Sequence, residues 1–519
     1  MSEEIRVRFA PSPTGKVHIG NIRAAIYNWL FARHTGGKFL LRVEDTDLER
    51  STPEAIAVLF DCMKWLGLDW DEEVFYQTKN VKRHLEVVDQ LLASGHAYKV
   101  EKTSRDGKTG VVTMFRMPKE GVIEFDDIVK GHMAKKAEDI QDFAIVRSDG
   151  SPIFHIANVV DDIDQRVTHI IRGDDHVENT FKHICIFRAL GAEVPKYGHL
   201  SMIVNQQGKP YSKRDGAAFV GEYREQGYLP EALFNYLLLL GWNPGDDREV
   251  LTREEMIRLF ELEKVHVTAA MFDPKKLAWM NGEYIKKIPA SEFRDMMVRS
   301  ATAEGSSSGS LGEYAVSPCS DLRSAAEHSA DKTAASDGNI GTSATAESSS
   351  SRNLGEYAVS ARSDLRSAAD LSDADYAVPL RSELCEKGER IAWWDYLANQ
   401  VQVRTKFLKD IPGAIRCFVS DDYPFDEKAV EKRLKKPGVK ELLLDLVERF
   451  SKVEDWTAPA LEAVVKELSQ GNGMGPWVHP IRVAVSGRGE GIGLFEMLQL
   501  LGKEKTLARL RHAAETLCA

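Results

Sequence analysis

Between a short alternating segment, Arg6 to Ala10, and a run in which Ile22, Ala25, Ile26, Trp29, Leu30 and Phe31 recur, the chain reads Arg8-Phe-Ala-Pro-Ser-Pro-Thr-Gly15-Lys-Val-His18-Ile-Gly20-Asn21. The recurrence has the spacing of an amphipathic helix and predicts one over 21–33. The string therefore covers a strand end, a Pro-Gly break and a helix start. Next come the apolar strand Lys38 to Val43, the acidic turn Glu44-Asp-Thr-Asp47 and a helix from about Thr52 to Leu66. Such β-α-β-α alternation is the signature of a parallel sheet with crossover helices. A helix start also offers unpaired N–H groups and a partial positive charge to a phosphate, and Gly15 and Gly20 let a bulky nucleotide approach the backbone. His18 is placed to hydrogen-bond phosphate oxygens as charge develops on them. Taken alone, His-Ile-Gly reads rather as a Pro-Gly turn capped by a surface histidine; the complete string favours the phosphate site.

At 519 residues the chain exceeds one ordinary core, and about one domain per ~150 residues suggests three or four. From Tyr76 to Asp149 the alternation loosens into a helix, a hairpin around Asp106-Gly107 and a polar stretch through Lys136, which reads as an insertion. The α/β pattern resumes at Pro152 to Val160 and Val167 to Arg172, with a helix over Asn179 to Leu190 and a strand over Leu200 to Val204. After Ser212-Lys-Arg214 helices dominate, notably Glu231 to Leu240 and Arg253 to Phe260, and helical periodicity returns from Glu389 to the end. From Ala301 to Ser382 the chain is rich in Ser, Ala, Gly and Asp, a composition unable to offset its ordering entropy. Leu311-Gly-Glu-Tyr-Ala-Val-Ser317 recurs there as Leu354 to Ser360. Such a repeat is either a partner-binding motif or a duplication within a tolerated loop.

Composition excludes several classes. With 43% hydrophobic and 28% charged residues the chain is neither collagen-like, coiled-coil-only nor wholly disordered. No apolar run approaches the ~20 residues that cross a bilayer, and the N-terminus lacks the apolar core of a secretory signal, so a cytoplasmic location without membrane partners is expected. Cys62, Cys185, Cys319, Cys385, Cys417 and Cys518 are scattered without close pairs, which suggests neither a disulfide framework nor a zinc site. Against 68 basic residues stand 79 acidic ones, a net of −11. This argues against indiscriminate nucleic-acid binding but leaves room for a local basic face, since screening acts beyond ~8 Å.

On these residues the chain resembles the class I aminoacyl-tRNA synthetases, and within them the bacterial glutamyl-tRNA synthetases. His18-Ile-Gly20-Asn21 is similar to the first signature of the class. Arg42-Val-Glu44-Asp-Thr-Asp47, Asn158-Val-Val-Asp-Asp162, Ile171-Arg-Gly-Asp-Asp-His176 and Gly227-Tyr-Leu-Pro-Glu-Ala232 extend the likeness. Lys209-Pro-Tyr-Ser212-Lys213-Arg214 resembles the second signature, with Pro210 in place of its first lysine. The resemblance implies a Rossmann-type catalytic domain over 1–77 and 150–207 and an α+β acceptor-arm insertion over 78–149. It further implies a helical stem-contact domain over 208–300 and an all-α anticodon-binding region over 389–519, with 301–388 as an insert foreign to the family.

It also implies roles. His18, Lys213 and Arg214 would be catalytic, Lys213 meeting the pyrophosphate leaving group. His18, Gly20, Asp175, His176, Met202, Ile203, Ser212 and Lys213 would bind ATP, although ordinary core packing is an alternative for Asp175 to Ile203. A glutamate site needs a cation, best a bidentate arginine, for the side-chain carboxylate and an acceptor for the ammonium. Arg8 and Arg172 match the family's positions for the first and Glu44 for the second, with Ala10, Ser12, Phe154 and Asn158 as further contacts. Phe154 stands where the family usually has Tyr, and a structural Arg8–Glu44 ion pair is the competing reading. Mg²⁺ is implied as a companion of ATP rather than of a protein cage, and no metal-ligand cluster stands out. Arg404 lies near the family's anticodon-reading arginine. Lys432, Arg433, Lys435 and Lys436 are either phosphate contacts or a solvated helix face.

The implied reaction joins glutamate to tRNA-Glu through glutamyl-adenylate, by a monomer, with positioning and charge stabilisation supplying the catalysis. A form that also charges tRNA-Gln and a non-catalytic tRNA-binding relative remain as alternatives.

Overall fold

The computed structural model describes residues 4–13, 15–47, 51–103, 109–305, 376, 384, 386–470 and 473–518. The repeat, nearly all of the Ser/Ala-rich insert and the hairpin tip at Asp106-Gly107 lie outside the described residues. Two compact units are formed: Leu229–Met280 joins the described residues up to Glu225, and Gln226–Tyr228 joins those from Asn281 onward.

In the first unit, β1 (Arg6–Phe9) runs parallel to β2 (Lys38–Val43), Arg6 opposite Lys38 and Phe9 opposite Leu41. β2 continues in parallel to β3 (Phe75–Tyr76). Helix α1 (Ile19–Thr35) makes the crossover. It ends at Gly36, whose φ of 69° only glycine adopts readily and whose N–H closes on the Ala32 carbonyl. Although its apolar positions recur at amphipathic spacing, α1 is buried on more than one side. It packs on β1 and β2 and also meets α7 (Pro230–Leu239) and α8 (Arg253–Leu259). Ile22, Ile26 and Leu30 are fully buried, each worth roughly 1.5–3 kcal/mol over exposure. Helix α2 (Pro53–Trp65) follows, capped by the Thr52 hydroxyl.

On the other side of β1, the Thr168 N–H donates to the Arg6 carbonyl at 2.9 Å and draws in β9 (His169–Gly173). β9 pairs in parallel with β10 (Lys196–Leu200), with α5 (Val177–Ala189) between them in the chain. Strands thus progress away from β1 and β9 in opposite directions. In sheets wound this way, ligands bind in the crevice beyond the strand ends where the order reverses.

The loosened stretch after β3 contains α3 (Val81–Ala93) and an antiparallel sheet, ordered β4 (Ala97–Thr103), β5 (Thr109–Phe115) and β8 (Phe143–Val146). Its polar part forms a hairpin, β6 (Val122–Asp127) and β7 (Gly131–Lys136). β6 also pairs in parallel with β10, Asp127 opposite Tyr197, so the hairpin extends the sheet of β9 and β10 in the order β7-β6-β10-β9. Phe115, Ile123 and Phe143 share one core with Val159 and Val160 of α4 (Phe154–Asp164) and Phe181 of α5. The strand expected over 200–204 is interrupted. β10 ends at Leu200, and β11 (Ile203–Val204) pairs instead with β12 (Ala270–Met271), leaving Ser201 and Met202 between them.

The second unit is helical in its described residues. Its core gathers Trp394 and Leu397 of Lys387–Gln402, Leu443 and Phe450 of Val439–Ser451, Ile481 of Gly475–Ser486 and Leu510 of Lys503–Thr516. A buried cation, Arg509, satisfies the carbonyls of Cys417 and Val485 at 2.8 Å each and lies over the Tyr423 ring. Cys62, Cys185, Cys417 and Cys518 are free thiols. Cys319 and Cys385 lie outside the described residues.

Candidate active site

Beyond the ends of β1 and β9 opens a crevice of about 700 Å³. The chain end of β1 brings Arg8, Ala10 and Ser12 to its wall, the start of α1 brings His18 and Gly20, and the end of β2 brings Glu44. α4 contributes Phe154 and Asn158, the end of β9 Arg172, the turn after it Asp175 and His176, and the interrupted strand Met202 and Ile203. Of the residues expected in the catalytic site, Ser212, Lys213 and Arg214 are not on this wall. Their loop reaches it through Pro210 and Tyr211.

Buried charge underlies the crevice. Asp162, on α4, accepts from Arg8 Nε at 3.0 Å and from Arg42 Nη1 at 2.6 Å. All three side chains are at most 4% exposed. Burial acts to raise the Asp162 carboxyl, but Arg42 and Arg8 outweigh it and hold it below the usual carboxylate range. Arg42 Nη2 donates to Asn158 Oδ1 at 2.9 Å and lies 3.6 Å from Glu44. The Arg8–Glu44 ion pair is therefore replaced by two others, Arg8 with Asp162 and Arg42 with Glu44. Burial pushes the Glu44 carboxyl up, against the pull of Arg42 and Arg8. An incoming cation beside Glu44 favours its charged form.

Arg8, Arg172 and Asn158 each leave a donor on the wall unspent. Arg8 uses Nε and Nη2 on Asp162, and Arg172 uses Nε on His199 and Nη2 on Thr180 and the His176 carbonyl, so neither Nη1 is hydrogen-bonded. Asn158 Nδ2 is buried without a partner. Burial pulls the Arg172 guanidinium down to about 10, with Arg8 adding to the effect and Tyr197, Asp162 and Glu44 opposing it. Donors grouped in this way suit a carboxylate.

At the helix start, His18 Nδ1 accepts the Gly20 N–H at 3.1 Å and caps α1. The neutral ring therefore carries its hydrogen on Nε2, a donor. Burial lowers the His18 pKa, with the Tyr211 backbone and Glu222 working the other way. The helix start is tied to the later loop by an antiparallel bridge. Ile19 N–H donates to the Ala218 carbonyl and Val220 N–H to the Val17 carbonyl, both at 3.0 Å. Within that loop Asp215 takes the Ser212 N–H at 2.9 Å and hydroxyl at 3.0 Å, while Asn205 donates to it at 2.7 Å. Lys213 and Arg214 are exposed, and Lys213 Nζ lies 5.0 Å from the centre of the Phe219 ring. Pro210 bridges back to Val204, so the substitution of the first signature lysine falls in a hairpin closed by backbone bonds.

Sequence reasoning named Asp162 only as the end of the stretch from Asn158 and gave it no role, although it lies one helical turn beyond Asn158 on the same face. It also overlooked Asp215 and Phe219, for which no periodic signal exists. Arg404, in the second unit, is exposed and spends Nη1 on the Gln400 carbonyl at 3.0 Å. Lys432 and Arg433 end the helix Glu427–Arg433, Lys436 is exposed, and Lys435 pairs with Glu431 at 2.9 Å. Among the described residues no group of three or more His, Cys, Asp or Glu side chains converges to hold a metal. These donors do not fit a resident ion, whereas Mg²⁺ carried on nucleotide phosphates and water needs no such cage.

A doubly wound parallel sheet with a phosphate-ready helix start and a basic loop bonded to it defines a nucleotide-binding α/β enzyme site. The chain belongs to the class I tRNA synthetases of the glutamate and glutamine group: residues 4–109 and 100–279 match the family described as "tRNA synthetases class I (E and Q), catalytic domain". Residues 372–514 match "Anticodon binding domain". The chain is 34% identical to a protein named glutamate–tRNA ligase from Symbiobacterium thermophilum, covering 98% of this chain and 99% of that one. It is 37% identical to the glutamate–tRNA ligase of Francisella philomiragia, over 99% of each. A crystal structure of a glutamate tRNA ligase from Elizabethkingia meningosepticum, in complex with its amino acid, superposes with a TM-score of 0.73 at 26% identity. It covers 99% of this chain and 100% of that one. No helix among the described residues is long and apolar enough to cross a membrane.

Proposed function

We propose that this chain ligates glutamate to tRNA-Glu in two steps, through glutamyl-adenylate, with ATP consumed and AMP and pyrophosphate released. The observation that carries the reading is the set of three unspent donors, Arg8 Nη1, Arg172 Nη1 and Asn158 Nδ2, on one wall with the carboxylate of Glu44. That set complements an amino acid with an anionic side chain. Arg8 and Arg172 take the side-chain carboxylate, Glu44 takes the ammonium, and Ala10, Ser12, Asn158 and Phe154 complete the pocket. Glutamine, neutral at the same place, leaves the buried Arg172 without an anion and Arg8 with Asp162 alone, the kind of mismatch that discriminates most strongly.

The α-carboxylate then attacks the α-phosphate, and the bond to pyrophosphate breaks. His18 donates through Nε2–H to the phosphates at the start of α1, beside Gly20. Asp175, His176, Met202 and Ile203 hold the nucleoside. Lys213 and Arg214, exposed in the free chain, come over the phosphates with Ser212 and stabilise the leaving charge. Mg²⁺ arriving on the ATP phosphates would supply charge neutralisation there, with no ligand from the protein required. In the second step the terminal 2′-OH of tRNA attacks the activated carbonyl and AMP leaves. We place Arg404 at the anticodon, and the chain in the cytoplasm as a monomer.

Purified chain is incubated with labelled glutamate, ATP and either tRNA-Glu or tRNA-Gln, with Lys213→Ala as control. Charging of tRNA-Glu alone is expected. Charging of both identifies a non-discriminating enzyme, and charging of neither overturns the reading.

A further inference from the structure

The guanidinium of Arg172 is anchored from behind. Its Nε donates to His199 Nε2 at 3.3 Å, and the Thr180 hydroxyl, 2.7 Å from Arg172 Nη2, lies 3.0 Å from the same His199 nitrogen. His199 Nδ1 in turn lies 2.6 Å from Asp127 Oδ2, and the side chains of both partners have no solvent exposure. Neither residue is on the crevice wall. An ionised carboxylate only accepts, so the His199 hydrogen sits on Nδ1 and Nε2 keeps the lone pair that Arg172 needs. The opposite tautomer would set one N–H against another.

Asp127 belongs to the β6–β7 hairpin rather than to the strands that build the crevice. Its Oδ1 also accepts the N–H groups of Val129 at 3.0 Å and Lys130 at 2.8 Å, which shapes the hairpin turn. Both carboxylate oxygens lie 3.2 Å from the His199 N–H. One carboxylate thus sets the turn, the pairing of β6 with β10 and the ring that holds Arg172. At the same turn Lys130 reaches Asp174 of the crevice wall at 3.1 Å.

We propose that Asp127 is a positioning residue for the amino-acid pocket: through His199 it fixes Arg172 so that Nη1 stays directed to the substrate's side-chain carboxylate. This rests on the reading of Arg172 as a glutamate contact. The test measures tRNA charging by the full chain over glutamate and ATP concentrations, for wild type, Asp127→Asn, His199→Gln and the double variant, each corrected for its fraction of active sites.

Asp127→Asn is expected to raise KM for glutamate about 10-fold, the order of one charge-assisted bond, and to leave KM for ATP within twofold. His199→Gln, which leaves the hairpin's own bonds to Asp127 intact, should raise the same constant even if Asp127→Asn folds poorly. The double variant should be no worse than the poorer single one. A purely structural role lowers the active fraction or the melting temperature and moves neither KM selectively, and that result overturns the inference. Multiplying single effects in the double variant overturns it as well. A wild-type chain that charges no tRNA with glutamate removes the underlying reading, and the inference with it.

Discussion

Replacing Asp162 with alanine tests the buried charge on which the crevice stands. The carboxylate serves two guanidiniums, Arg8 at 3.0 Å and Arg42 at 2.6 Å, with side-chain exposures of 4% and 0%. Deleting one partner of a buried pair costs about 3–5 kcal/mol, because the other charge stays desolvated and unpaired. Arg42 keeps Asn158 and Gln165 as acceptors and Glu44 nearby, so most of the loss falls on Arg8. We expect about 4 kcal/mol for Asp162→Ala and about half that for Asp162→Asn, which keeps an acceptor but not the charge. At roughly 2 °C per kcal/mol for a unit of this size, calorimetry should show the alanine variant melting about 8 °C earlier. The sign with pH is fixed as well. The folded carboxyl lies below its ordinary value, so its contribution is present above the unfolded pKa of about 3.9 and is lost as pH falls through the folded value. The gap between wild type and variant must close in that acid window. A variant that melts within 1–2 °C of wild type at pH 7, against the roughly 2 °C per kcal/mol used here, refutes the account.

Lys213→Ala should lower the rate of adenylate formation about 10²- to 10³-fold with little change in KM for glutamate, measured by single-turnover charging. Protonating His18 removes the acceptor that caps α1, and burial lowers its pKa from 6.5, so the acid limb of activity assigned to His18 should lie below pH 6.5. A pH–rate profile with that limb above 6.5 contradicts this. In the second unit Gly487 closes the helix Gly475–Ser486 at φ 73°, and an added Cβ would meet the Pro424 carbonyl. Gly487→Ala should therefore destabilise that unit by about 2 kcal/mol or more in denaturant titration.

The strand, loop and helix at the start of the chain were legible because apolar periodicity and the Pro-Gly break report on local backbone. The wall of the crevice was legible for a related reason: Arg8, Glu44 and Arg172 sit at or next to strand ends that a parallel sheet brings together. Which charge meets which was not legible. Arg8 finds Asp162 rather than Glu44 across 154 residues of sequence, a pairing that local periodicity does not encode. The β6–β7 hairpin hid for another reason. Its inward positions are Ile123, Phe125 and Asp127, and the last breaks the apolar alternation at the place where it meets His199. Met202 and Ile203 were read as one strand with Leu200, but the chain changes sheets between them, which spacing over so few residues does not reveal.

The bridge between Val17–Ile19 and Ala218–Val220 also sets an order of events during synthesis. A chain leaving the ribosome exposes its phosphate-ready helix start first, but the backbone partners that close that segment arrive only with residue 220. Until then the N–H of Ile19 and the carbonyl of Val17 have water as their only available partners. That wall of the crevice is therefore completed late, after its parallel strands have been translated, and a nascent or truncated chain ending before residue 218 carries His18 and Gly20 without the backbone partners of their segment.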